Sequence, residues 1–135
     1  DVALATGAGV HLGAEDLPVA VARRLLGPDA VVGGTARNPG TATALVEAGA
    51  TYLGVGPCYT TATKDGLPPA IGPGGVAAVA GAVDIPVIAI GGVTLDRVPE
   101  LLAAGAYGVA VVDAVAGAPD PDAAVRELLD ALVRA

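Results

Sequence analysis

Lys64 is the only lysine in a chain of 135 residues, and it ends a run of hydroxyls, Thr60, Thr61 and Thr63, within GPCYTTATKDG at 56–66. An ammonium is a compact, strongly hydrated point charge, and threonines add hydroxyl donors. With Gly56, Pro57 and Gly66 bounding it, the segment reads as a loop that folds over a phosphate or diphosphate. The bland reading is a solvated polar loop; the isolation of Lys64 favours a binding role. A second stretch, AIGGVTLD at 89–96, runs from an apolar strand into Gly91 and Gly92 and then Thr94, a good N-cap for a following helix. Paired glycines let backbone N–H groups approach a ligand, and a helix start adds positive dipole, so this is a phosphate cradle or simply a tight turn. The third stretch, HLGAEDLP at 11–18, places Glu15 and Asp16 just after a strand. A carboxylate there could share Mg2+ with a diphosphate. Spacing alone favours Asp16 as a helix cap.

His11 is the only histidine and falls inside an apolar strand pattern, which reads as a hydrogen-bonded core residue. Cys58, the only cysteine, has no basic sequence neighbour to lower its pKa and reads as packed. It can form no internal disulfide, which fits a reducing compartment. No Ser-His-Asp set, His/Cys metal cluster or complete dinucleotide fingerprint is visible, so nucleophilic and redox chemistry have little support.

The elements that must position these loops follow one grammar, a short apolar run and then an Ala-, Leu- and Arg-rich helical stretch, which is the βα pattern of a buried parallel sheet. Strands are expected at 9–13, 30–34, 51–56, 85–92 and 107–112, and helices at 17–26, 39–48, 74–82, 95–104 and 121–134. Pro18 falls in the first turn of the helix that Asp16 would cap. Gly49 and Gly105, in EAGA and AAGA, are placed where helices end in the left-handed region. LVEAGATYLGVG and LLAAGAYGVAVV are near copies and imply an internal βα repeat. Five such units fit a doubly wound sheet or part of a (β/α)8 barrel. The chain is about half the roughly 250 residues of a barrel, and its first residues, DVALATGAG, already read as helix. The expectation is a fragment whose first half lies elsewhere.

Composition sets the outer limits. With 53% apolar and 16% charged residues the chain is globular, and with 2% aromatic residues and no Phe, Trp or Met its core must be built from Val, Ala, Leu and Ile. A formal charge of −7 without any basic run argues against nucleic acid and against an anionic membrane surface. No apolar run has the length of a membrane helix and no leader-like segment opens the chain, so the expected location is the cytoplasm.

The segments GVHLGAEDLP, GVGPCYTTATKDG, PVIAIGGV and AGAYGVAVV resemble, in order and spacing, the thiamine-phosphate synthase family over residues 1 to about 130. The Thr-x-Thr-Lys element at 61–64 is the most specific, because the related thiazole tautomerases share the barrel and the glycine loop but lack it. The resemblance implies a (β/α)8 TIM barrel of which residues 1–135 are the C-terminal part, about the last five βα units. It implies a transferase that joins hydroxymethylpyrimidine diphosphate to thiazole phosphate with Mg2+, by loss of pyrophosphate and capture of a pyrimidine carbocation. Such chemistry asks for positioning and charge neutralisation more than for a base. By the resemblance, Asp16 matches a Mg2+ ligand and Thr35, in GGTARN, a pyrimidine-site residue. Lys64 matches the catalytic contact to the diphosphate, and Thr61, Ala62, Thr63, Gly92, Val112 and Asp113 match the thiazole-phosphate site.

Two departures stand out: Ala14 replaces the family's Gln, and Asp113 replaces a frequent Ser. A carboxylate beside a phosphate repels it, so Asp113 must point away or leave binding to backbone N–H groups. The family's diphosphate strand and second Mg2+ ligand, which belong to the first half of the barrel, are also missing. The implied partners are phosphorylated small molecules, the missing N-terminal half of the barrel and a possible second copy. The alternatives are a non-catalytic half-barrel that binds phosphate or acts as a scaffold, and a tautomerase-like relative.

Overall fold

The computed structural model describes residues 1–61 and 66–133. Five strands, β1 (Val10–Leu12), β2 (Val32–Ala36), β3 (Tyr52–Val55), β4 (Val87–Ile90) and β5 (Gly108–Ala110), alternate with helices. These are α1 (Val2–Thr6), α2 (Val19–Leu26), α3 (Pro39–Glu47), α4 (Gly72–Ala80), a 3-10 turn (Leu95–Arg97) leading into α5 (Val98–Ala103), α6 (Asp113–Ala116) and α7 (Pro121–Val133). The strands are all parallel and lie in the order β1-β2-β3-β4-β5. Sequential order is that of a (β/α)8 barrel, whereas a doubly wound sheet reverses its order at a switch point. The observed sheet shows no such reversal and is barrel-like in its order.

Local chemistry explains most boundaries. Asn38 caps α3 by accepting the Thr41 N–H at 2.9 Å, with Pro39 in the first turn. Asp120 accepts from Ala123 at the start of α7. Gly49 and Gly105 follow α3 and α5 with φ of 96° and 92°, the left-handed turn expected of them. Three expectations are corrected. Asp16 does not cap α2: the N-cap is Pro18, without a side-chain bond, and the Asp16 carboxylate instead accepts the Gly13 N–H at 2.7 Å, closing the turn after β1. Thr94 holds the N-cap position, but its hydroxyl donates to Asp96 and accepts no backbone N–H, and the helix after it begins as a 3-10 turn. α6 occupies a stretch that reads in sequence as loop.

The sheet buries one face. Leu12, Val32, Ala36, Leu53, Val55, Val87 and Ala89 point to the helices and join Val19, Ala22, Ala42, Val76, Val79, Val98 and Leu101 in the core. The residues between them, His11, Gly33, Thr35, Tyr52, Gly54, Ile88, Ile90 and Gly108, line the other face. Register aligns His11, Gly33 and Tyr52 in one row and Thr35, Gly54, Ile88 and Gly108 in the next. At the amino edge of the strands Arg23 ties loops together. Its guanidinium donates to the carbonyls of Gly27, Pro28, Ala30 and Gly49 at 2.7–3.1 Å.

Candidate functional site

Because every strand is parallel, the segments that follow them gather at one edge, and the inner face rises to meet that edge. On the inner face His11 is exposed, which corrects the expectation of a core histidine. Its ring bridges two hydroxyls, with Nδ1 3.0 Å from the Tyr52 hydroxyl and Nε2 2.9 Å from Thr35 Oγ1. Space for the ring is made by glycines. A Cβ on Gly33 would fall 2.6 Å from His11 Nδ1, and one on Gly54 2.8 Å from His11 Cε1. Packing of the ring against the sheet lowers the His11 pKa, and the negative charge of Asp16 partly opposes that shift. Asp16 is thus within electrostatic reach of His11, whose ring bonds Thr35.

The segments after β3 and β4 interlock at the carboxyl edge. Gly91 and Gly92 take φ of 92° and 64°, a conformation that favours glycine. The Cys58 and Tyr59 N–H groups donate to the Ile90 and Gly91 carbonyls at 2.8 and 3.0 Å. A Cβ on Gly92 would lie 2.7 Å from the Thr60 carbonyl oxygen, so the two loops meet backbone to backbone. The Arg97 guanidinium donates to the Gly92 carbonyl at 2.5 Å and lies 4.2 Å over the Tyr59 ring, and the Tyr59 hydroxyl donates to Glu100. The Tyr59 pKa is raised, first by burial and then by that carboxylate. Beside the loop, Tyr59, Thr60, Thr61 and the Leu67–Ala70 stretch line an open pocket of about 180 Å³. This is smaller than the roughly 300–1,000 Å³ of a whole-ligand cleft, and fits one group of a ligand.

Of the residues singled out in sequence, Asp16, Thr35, Thr61, Gly92, Val112 and Asp113 all stand at or beside the carboxyl edge. Val112 is the residue before α6 and Asp113 its first residue, both exposed. Ala62, Thr63 and Lys64 lie outside the described residues. Cys58 is fully buried, with its thiol 3.3 Å from the Val55 carbonyl and its pKa pushed up by burial, in keeping with a packed role. Among the described residues no cluster of three or more His, Cys, Asp or Glu side chains could hold a metal. Sequence reasoning missed the bridging of Thr35 and Tyr52 by His11 and the Arg97–Tyr59–Glu100 contacts. The first had a signal in the strand glycines at 33 and 54; the second had none, since it depends on how two distant loops nest.

A sequence model described as thiamine monophosphate synthase matches residues 1–115. The chain belongs to that family. A thiamine-phosphate synthase of Salinispora tropica is 61% identical over 132 residues, covering 97% of this chain and 64% of the relative. A thiamine biosynthesis bifunctional protein of Symbiobacterium thermophilum is 55% identical over 136 residues, covering 100% of this chain and 28% of the relative. The chain therefore spans less than two thirds of the length of these relatives. A solved thiamine phosphate pyrophosphorylase of Pyrococcus furiosus superposes with a TM-score of 0.88 at 38% identity, covering 99% of this chain and 64% of that one. A 3-hexulose-6-phosphate synthase, 24% identical with a TM-score of 0.71, covers 98% of this chain and 66% of that one and shares the fold alone. No helix among the described residues is long and apolar enough to cross a membrane.

Proposed function

We propose that the protein carrying this chain is a cytoplasmic thiamine-phosphate synthase, a transferase that joins hydroxymethylpyrimidine diphosphate to thiazole phosphate and releases pyrophosphate. Residues 1–135 would supply about the last five βα units of its (β/α)8 barrel, with the N-terminal half closing the sheet against β1 and β5 and covering the inner face. The observation that carries the reading is the interlock of the Thr-bearing loop with the glycine turn at the carboxyl edge. In barrels that edge holds the active site, and the loops after the last two strands commonly hold phosphate.

In this reading the thiazole phosphate lies against Thr61, Ala62, Thr63, Gly92, Val112 and Asp113. With the Ile90, Gly91 and Gly92 carbonyls engaged by protein donors, backbone N–H groups of the turn are the natural phosphate contacts, and Asp113 would serve through its main chain. Thr35, held by His11, would orient the pyrimidine. Lys64 would neutralise the departing diphosphate. Asp16 fits a single Mg2+ contact, because one carboxylate oxygen takes the Gly13 N–H and the other is left to a cation shared with substrate phosphates. Mg2+, when bound, would supply charge neutralisation on the diphosphate. Carbon–nitrogen bond formation through a cation needs orientation and charge stabilisation from the protein.

The test is Lys64→Ala in the complete protein, assayed for thiamine phosphate with Mg2+ and both substrates. Turnover should fall by roughly 100-fold or more, the scale of losing one preorganised charge contact, with the melting temperature unchanged. Undiminished product formation would remove Lys64 from its role, and absence of product from the unaltered protein would refute the synthase reading.

A further inference from the structure

We propose that Arg97, acting through Tyr59 and Glu100, is a positioning residue that locks the threonine loop onto the glycine turn and thereby sets affinity for the phosphate of the thiazole substrate. The inference rests on the synthase reading above and adds residues that motif matching does not supply. Three successive carbonyls of the turn are engaged from the protein side. Ile90 and Gly91 accept from the backbone of Cys58 and Tyr59, whereas Gly92 accepts from the Arg97 side chain at 2.5 Å. The same guanidinium covers the Tyr59 ring at 4.2 Å, and the far end of that ring donates its hydroxyl to Glu100, three residues beyond Arg97. Tyr59 is thus held at face and tip by one short stretch, the 3-10 turn and first turn of α5. Thr60 and Thr61 follow Tyr59 directly.

The consequence is specific to one ligand group. A Cβ on Gly92 would fall 2.7 Å from the Thr60 carbonyl oxygen and 2.9 Å from Tyr59 Cβ, so the two loops pack with no room for a side chain between them. A cation–π contact and a charge-assisted hydrogen bond hold the pair in that register. Releasing Arg97 frees the Gly92 carbonyl and the Tyr59 ring together, which loosens the phosphate cradle and leaves the His11–Thr35 end of the site alone.

The experiment measures kcat and KM for each substrate, with melting temperature, in Arg97→Ala, Arg97→Lys, Tyr59→Phe and Glu100→Gln of the complete protein. The expected result for Arg97→Ala is a KM for thiazole phosphate raised roughly 10–100-fold, with KM for the pyrimidine diphosphate within about 2-fold, a split that removal of ground-state binding produces. Arg97→Lys, which keeps the cation over the ring, should recover most of the loss. If Arg97→Ala does not fold, Tyr59→Phe and Glu100→Gln read the same contact from its other end, each raising the thiazole KM several-fold. Both KM values rising together, or a fall in melting temperature with neither changing, would overturn the proposal. Calorimetric binding of inorganic phosphate in the same variants separates the two readings. A protein that forms no thiamine phosphate refutes the synthase, and phosphate binding unaltered by Arg97→Ala refutes the latch.

Discussion

Gly33→Ala should act on the inner face out of proportion to the single methyl it adds. The new Cβ would lie 2.2 Å from Tyr52 Cζ, 2.5 Å from Tyr52 Cε1 and 2.6 Å from His11 Nδ1. Carbon atoms settle about 3.5–4 Å apart, so the tyrosine ring must retreat by more than ~1 Å. The 3.0 Å contact between the Tyr52 hydroxyl and His11 cannot survive that movement. Overpacking costs about 1–3 kcal/mol and a lost hydrogen bond about 0.5–1.5, against roughly 0.4–1 returned by the stiffer unfolded chain. Since every clash is with a side chain that can yield, the net cost belongs at the low end, about 1–2 kcal/mol, or a melting temperature lower by roughly 5 °C. Gly108→Ala is the matched control, because its Cβ would meet only Ile88 Cδ1 at 3.6 Å, an ordinary contact. Thermal melts of both variants, with 15N shifts of the His11 ring, read the outcome. If Gly33→Ala melts with Gly108→Ala and leaves the His11 shifts in place, the ascribed packing of the inner face is wrong. In the synthase assay Gly33→Ala should raise KM for the pyrimidine diphosphate, through Thr35, and leave the thiazole KM alone.

Two further perturbations separate stability from the site. Arg23→Met keeps the aliphatic packing but orphans four carbonyls at the amino edge, which should cost about 2–4 kcal/mol and roughly 5–15 °C. Calorimetry should show that loss with both KM values unchanged, and an altered KM would contradict the division between edges. The fold lowers the His11 pKa, so just below the ordinary value of about 6.5 the unfolded chain binds more protons than the folded one. The stability contributed by neutral His11 is therefore fully present above that value and is lost as pH falls through the folded pKa. Urea unfolding at several pH values should show the advantage of the natural protein over His11→Asn shrinking toward acid, and an advantage that grows toward acid would refute the assigned shift.

The architecture was legible where periodicity and punctuation agreed. All five strands and the helices between them lie within a few residues of their expected places, and Gly49 and Gly105 end their helices as read. Asp16 was misplaced because a cap-type carboxylate has more than one donor in reach, and Gly13 N–H outcompeted α2; Thr94 stands at its expected N-cap position, but its hydroxyl turns to Asp96 instead of taking a backbone N–H. The strands read as buried on both faces because glycine registers as neither polar nor apolar and hid an alternation. His11 suffered most from this, since its neighbours Val10 and Leu12 point to the helices while it points the other way. The shared edge for Asp16, Thr35, Thr61, Gly92 and Asp113 follows from parallel strands alone. The contacts that hold Tyr59 depend on how two loops nest, and nothing local in the sequence encodes that.

The glycines around the candidate site fall into two physical kinds. Gly91 and Gly92 are required by backbone conformation, with positive φ in the turn after β4. Gly33, Gly54 and Gly56 have ordinary strand-side backbones and are required by volume: a Cβ would strike Tyr52, His11 and the Ile90 carbonyl respectively. A glycine inside a strand weakens it, so one kept there without a conformational reason marks something lying across the backbone. At Gly33 and Gly54 that something is the only histidine of the chain, pressed down between two hydroxyls. At Gly56 it is the loop after β4, drawn against the stem of the threonine loop. Gly33 and Gly54 clear the inner face under His11 and Tyr52, and Gly56, Gly91 and Gly92 shape the rim where the segments after β3 and β4 meet. A side chain added at Gly33 or Gly54 should reposition the His11 and Tyr52 side chains, whereas one added at Gly56, Gly91 or Gly92 should move backbone.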